Sequence, residues 1–173
     1  SQYVVNPTTT KIAWKATKVG GAHNGFISAS EGSLNVNANT ITSGKITINM
    51  NSITCTDIEN AEYNGKLIGH LKAEDFFGTD KFPTATLDIT KSTLVSGSTY
   101  KVDGNLTIKG ITKPTSFNAI VNNKDGKMSA TAKLTINRTL YDIKYGSGMI
   151  GTAQDKLIYD DFTLDIALDA AKK

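Results

Sequence analysis

The chain has 173 residues, 39% of them hydrophobic, and its 19 basic and 16 acidic side chains leave a net charge of +3. That length supports one domain with a real core, and residues 1–173 read as a single domain without a long linker or low-complexity tract. The weak bias is carried by scattered lysines with Arg138 as the one arginine, which excludes a nucleic-acid binder, and no apolar run is long enough to span a membrane.

Taken in chain order, Tyr3–Pro7 predicts a short strand stopped by proline. Lys11–Val19 alternates, with Ile12, Trp14 and Ala16 on one face, and Gly20-Gly21 permits a bend. Phe26-Ile27 and Ser33–Asn37 continue as strand, with Leu34 and Val36 on one side, and residues 37–40 read as a turn. Gly44–Asn51 places Ile46, Ile48 and Met50 inward. The pattern changes at Thr56-Asp57. From Glu59 to Glu74, Tyr63, Leu67 and Leu71 recur at helical spacing. They predict an irregular helix with that stripe on one face, Asp57 as its N-cap, and Gly65 and Gly69 weakening it.

Lys81-Phe-Pro83 leads into the next strand, where Ala85, Leu87 and Ile89 face in; Ser96–Ser98 is a turn. Tyr100, Val102, Leu106 and Ile108 take alternate positions of a half-buried strand, with Gly104 among them, that ends at Gly110. Pro114 argues against a strand running through it, so the partner strand is placed at Ser116–Asn122, with Phe117, Ala119 and Val121 on one face. Asp125-Gly126 is a strong hairpin turn. Met128, Ala130, Ala132, Leu134 and Ile136 make the longest alternating run, with Leu140–Ile143 as its continuation beyond a bulge. Tyr145–Gln154 reads as a glycine-rich loop, and Phe162, Leu164, Ile166 and Leu168 alternate in the last strand. About eight one-faced strands joined by short turns fit a sandwich or a closed barrel. Small inward residues (Ala16, Ala85, Gly104, Ala119, Ala130, Ala132) fit either an internal cavity or ordinary tapering of a core.

Catalytic and nucleotide motifs are absent from the sequence. His23 and His70 lie far apart in sequence and are read as hydrogen-bonded to backbone or a carboxylate, with no metal site. Cys55 is alone, so no intrachain disulfide forms, and it reads as a quiet buried thiol. Asp160, Asp161 and Asp165 read as exposed acids. Tyr63, Leu67, Phe76, Phe77 and Phe82 suit either a lid over an apolar mouth or a plug completing the core.

Several blocks taken together resemble the YceI-like family, exported bacterial proteins described as polyisoprenoid-binding. They are Tyr3–Asn6 with Thr10–Trp14, Val19–Gly25, Asn51–Asp57, Gly65–Phe77 with Lys81–Thr86, Gly104–Pro114, and Asn137–Asp142. In the last block the family usually has glycine where this chain has Asp142. The resemblance implies an all-β, extended antiparallel lipocalin-like β-barrel of about eight strands with a short helical insertion. It implies an apolar channel for an isoprenoid chain, a polyprenyl lipid or a quinone tail, lined by Trp14, Ile46, Ile48, Met50, Leu87, Ile89, Val102, Leu106, Ile108, Phe117, Met128, Leu134, Ile136, Phe162 and Leu164. Leu67, Leu71, Phe76, Phe77 and Phe82 would close or line one end, and Arg138, Tyr141 or His23 would meet a polar head. It also implies a periplasmic or secreted protein whose signal peptide has been removed, with no catalytic residues, no required cofactor, and a long-chain lipid as partner. A structural or stress-response barrel acting through surface partners, and an enzyme of isoprenoid chemistry, are the rival readings. A homodimer is compatible with all three.

Overall fold

The computed structural model describes residues 1–18, 21–38, 40–143 and 158–173. Among the described residues there are nine strands: β1 (Gln2–Val5), β2 (Lys11–Lys18), β3 (Gly21–Asn37), β4 (Thr40–Asn49), β5 (Thr84–Ser96), β6 (Thr99–Ile108), β7 (Ile111–Lys124), β8 (Lys127–Asn137) and β9 (Ile158–Lys172). One helix, α1 (Ala61–Lys72), lies between β4 and β5. Neighbouring strands pair antiparallel around a ring that closes through β3 and β4. β1 and β2 both pair with β3 on one side and β9 on the other. They form one stave interrupted at Pro7, which gives a closed eight-stranded barrel. Closure leaves no free sheet edge except where a stave outruns its neighbour.

Alternation places one face of each strand inside the barrel. The β6 pattern is regular: Tyr100, Val102, Gly104, Leu106 and Ile108 are buried, while their neighbours are exposed or half-buried. Lys109-Gly110 and Asp125-Gly126 are two-residue hairpin turns in which all four residues have positive φ. That is the backbone of a type I′ turn, where glycine removes the Cβ clash. Lys109 tolerates the conformation while its Nζ donates to the Glu74 carbonyl at 2.6 Å, fastening this hairpin to the segment after α1.

Some expectations change. Pro114 sits inside β7, opposite Asn105 of β6. The ladder from β7 to β8 covers only Ala119–Lys124, so at Pro114 the strand has a partner on one side alone and a missing N–H is tolerated there. The segment after β8 does not continue as strand. Arg138–Tyr141 forms a 3-10 turn that packs against β7 and β9, and Arg138, Tyr141 and Ile143 are buried where β7 and β8 separate. Helix α1 is capped by Asn60, whose side chain accepts from the Tyr63 N–H, not by Asp57. Tyr63 is 62% exposed. The helix packs through Leu67, Ile68 and Leu71 instead, because the inward arc of a short helix at a barrel end spans little more than one turn. Asp160 is half-buried and close enough to Arg138 to act on its charge, unlike the exposed Asp161 and Asp165. The glycine loop expected at residues 145–154 lies outside the described residues.

Candidate functional site

The two ends of the barrel are filled differently. At the end carrying the β5–β6 and β7–β8 hairpins, Tyr3, Leu34, Val36, Ile41, Tyr100, Val102, Val121 and Met128 pack into a solid core. At the other end, where α1 crosses, inward positions include Ala16 and Ala85, and the interior is hollow. The cavity there is about 130 Å³, counted as the space open to the centre of a water molecule. Its wall is drawn from β2, β3, β4, β5, β6, β8 and β9, with Leu71 of α1 and Phe76 and Phe77 beyond it lying across the mouth.

The wall is almost wholly apolar. Trp14 faces the cavity, but its indole N–H donates to the Thr54 carbonyl at 2.9 Å. Thr10, at the deep end, bonds the backbone of Asp169. Arg138 is the one charged wall residue among those described. Its Nη1 donates to the Ile143 carbonyl at 3.0 Å, and its guanidinium lies 5.8 Å from the centre of the Phe76 ring. Burial lowers the pKa of this arginine and Asp160 opposes the shift; a guanidinium stays charged under such conditions. His70 meets the same Phe76 ring edge-on at 4.7 Å, so both side chains hold the ring at the mouth.

Of the residues the resemblance implied, Trp14, Ile46, Ile48, Met50, Leu71, Phe76, Phe77, Leu87, Leu106, Ile108, Leu134, Ile136, Phe162 and Leu164 lie on this wall. Leu67, Phe82, Ile89, Val102, Phe117 and Met128 do not. Ile89, Val102 and Met128 belong to the filled end. Phe82 packs under the Lys109-Gly110 turn, where a Cβ on Gly110 would come within 2.9 Å of its ring. Phe117 lies on the part of β7 that has left β8. Leu67 is half-buried on α1, a turn before the cavity. The list omitted Thr10, Ile12, Ala16, Ile27, Ile53, Ala85, Ile166 and Leu168, all on the wall. Alternation would have found most of them; which end of the barrel is hollow is not written in alternation.

At the rim, the strand-like segment Thr54–Thr56 bonds back to Asn24–Phe26 of β3. A Cβ on Gly25 would lie 1.8 Å from the Thr54 carbonyl oxygen, so only glycine admits this close approach. The same crossing gathers three side chains. Asp57 accepts from His23 Nδ1 at 2.8 Å, from the Cys55 thiol at 2.9 Å and from the Asn24 N–H at 3.0 Å. Desolvation would raise the Asp57 pKa, but the bonds from Cys55, Asn24 and His23 and the His23 charge outweigh it and hold the carboxyl well below the usual range. The Cys55 thiol is pushed up, first by burial and then by its bond to Asp57. A raised thiol beside a carboxylate is a poor nucleophile.

A YceI-like domain model matches residues 3–170. The chain belongs to the YceI-like family. Among curated proteins, a UPF0312 protein of Pseudomonas aeruginosa is 39% identical over 75 residues, 43% of this chain and 35% of that protein. A UPF0312 protein of Staphylococcus aureus is 40% identical over 87 residues, 46% of this chain and 48% of that one. The chain thus spans less than half the length of the curated relatives it matches. Among solved structures, BcnA of Burkholderia cenocepacia superposes with a TM-score of 0.74 at 20% identity, covering 95% of this chain and 98% of that one. A polyisoprenoid binding domain from Saccharophagus degradans gives 0.72 at 14% identity, covering 99% and 98%. The YceI protein of Campylobacter jejuni gives 0.63 at 24% identity, covering 85% and 81%. These likenesses establish the shared YceI-like barrel. Among the described residues no helix is long and apolar enough to cross a membrane.

Proposed function

We propose that this YceI-like chain binds and carries, or sequesters, the isoprenoid tail of a lipid or quinone in the hollow end of its barrel. The observation that carries the reading is the cavity wall, where Arg138 is the one charged side chain among those described. Such a wall offers an apolar tail burial without desolvating polar groups. The size of the effect favours a long ligand. Burial contributes about 25 cal/mol per Å², so a tail burying on the order of 300 Å² gains about 7 kcal/mol. The loss of free motion on association costs at least about 4 kcal/mol, so a short tail is released and a long one is held. The tail would run inward from the mouth toward Thr10, leaving an accepting head group near Arg138.

The likeness to a polyisoprenoid binding domain supports the reading, as does the poor nucleophilicity of Cys55 beside Asp57, which speaks against covalent chemistry there. Placement in the periplasm or outside the cell, where a soluble carrier between membranes is useful, belongs to the same proposal. The rival scaffold reading predicts a barrel filled throughout.

The test is purification from the native host under mild conditions, followed by extraction and lipid mass spectrometry. A stoichiometric isoprenoid species supports the carrier reading and identifies the cargo. An empty chain that also takes up neither prenyl lipids nor quinones overturns it.

A further inference from the structure

The rim cluster of His23, Cys55 and Asp57 lies off the cavity wall, and its composition is that of a metal site. Imidazole, thiolate and carboxylate together suit Zn²⁺ and its neighbours in the first transition row. Their donor atoms lie within 4.8 Å of one another. They come from two places in the chain, β3 and the lead-in to α1, and hydrogen bonds fix both: the backbones of Thr54 and Thr56 pair with those of Phe26 and Asn24, and the Asn64 side-chain Nδ2 donates to the Cys55 carbonyl at 2.8 Å. The positions of the ligands are thus set by the fold and not by the ion.

We propose that His23 Nδ1, Cys55 Sγ and Asp57 form a three-ligand site for a divalent transition-metal ion, Zn²⁺ by preference, with solvent as the fourth ligand. The two short contacts in the cluster each hold a proton that a cation replaces: the thiol proton shared with Asp57 Oδ1 at 2.9 Å, and the imidazole proton shared with Oδ2 at 2.8 Å. Binding releases the thiol proton to solvent and takes His23 as the neutral ring protonated at Nε2, so that Nδ1, Sγ and one Asp57 oxygen each offer a lone pair. Tetrahedral zinc separates such donors by about 3.3–3.6 Å, given Zn–S near 2.3 Å and Zn–N and Zn–O near 2.0–2.1 Å. With one Asp57 oxygen as ligand, its short contact opens by about 0.5–0.7 Å, and the widest donor pair, within 4.8 Å, closes by up to about 1.2 Å, changes made by side-chain rotation on a fixed backbone. His23 and Asp57 are each 27% exposed along the side chain, which gives an ion a path in and a water its place. The Asn24 N–H on Asp57 Oδ1 supplies the outer bond that orients the carboxylate. Sequence spacing hid the site because it pairs a strand histidine with residues more than thirty positions away.

The bound ion would fasten the lead-in of α1 to β3 beside the cavity mouth. The test is titration of the reduced full chain with Co²⁺ alone, then Zn²⁺ alone. One equivalent of Co²⁺ should bind with the near-ultraviolet band of a cobalt–thiolate bond, and Zn²⁺ should displace it. Zn²⁺ at about a hundredfold over its Kd should raise the Tm by roughly 5–10 °C. Cys55→Ser should abolish the band, and both Cys55→Ser and His23→Ala should weaken binding at least tenfold. A chain that shows neither saturable binding nor a Tm rise overturns the proposal without recourse to variants, and so does affinity unchanged in both variants. Lipid uptake is a separate readout, so failure here leaves the carrier reading standing, and the reverse.

Discussion

At the scale of single residues, Asp57 and Asp142 show how much one carboxylate's setting decides. The Asp57 carboxyl has a folded pKa below its unfolded value near 3.9, although its own desolvation opposes this; the donors at Cys55, Asn24 and His23 prevail. A depressed acid contributes stability above its unfolded pKa and loses it as pH falls toward the folded one. Asp57→Asn should therefore cost about 1–2 kcal/mol at pH 7, discounted for partial exposure. The gap between variant and parent should shrink as pH falls below about 4. Urea unfolding of both chains at pH 7 and pH 3 measures it, and a gap that is constant or larger at pH 3 contradicts the assignment. Asp142 has φ of 61° and ψ of 30°, with its N–H turned back to Arg138 and Thr139. This is the left-handed conformation that glycine adopts freely and Asp tolerates. Asp142→Gly should leave Tm unchanged or raise it slightly, while Asp142→Val should cost about 1–2 kcal/mol. The sequence already marked this position, since the family's glycine is missing there, but the reason for it is a dihedral angle.

At the scale of elements, the strands were legible and the helix only partly so. A period of two names the inward residues of β4, β6 and β8 because each is covered on one face along its length. Pro114 misled because the penalty on a strand proline depends on how many partners the strand has at that point, and β7 has one there. Asp57 misled as a helix cap because a carboxylate before a helix caps it only if nothing nearby offers better donors, and here β3 does. In α1, Gly65 and Gly69 are exposed, and a Cβ added at either meets nothing within 4 Å. Replacement by Ala should then recover helix propensity without strain, about 0.5–1 kcal/mol at each site. The double variant should melt a few degrees higher. If α1 is the door to the cavity, it should also exchange a fluorescent prenyl probe more slowly. A higher Tm with exchange unchanged would mean that ligand enters elsewhere, for instance where β7 parts from β8.

At the scale of the whole molecule, the barrel divides into a packed end that holds the fold and a hollow end that is free to serve a ligand. The sequence does not place that division, because, of its small inward residues, Ala16 and Ala85 line the cavity while Gly104, Ala119, Ala130 and Ala132 do not. What separates the two groups is the taper of the barrel and the volume that facing side chains bring, a property of several strands at once. Ala85 is 5% exposed, lies opposite Ile48 and faces the cavity. Ala85→Phe would put a ring into space that the packed end does not have. Overpacking a filled core costs about 1–3 kcal/mol, but here the cavity accepts the added atoms, so the loss should fall at or below the low end of that range. Ligand should lose its room. Prenyl-lipid or quinone occupancy after purification should drop at least tenfold, while a volume-conserving change at the packed end, Met128→Leu, leaves occupancy intact and costs less than about 1.5 kcal/mol. Bound tail stabilises the fold by mass action, so the parent should also lose Tm on delipidation and Ala85→Phe should not. If Ala85→Phe keeps its cargo, the lipid does not lie in this cavity, and its seat must be sought elsewhere on the barrel.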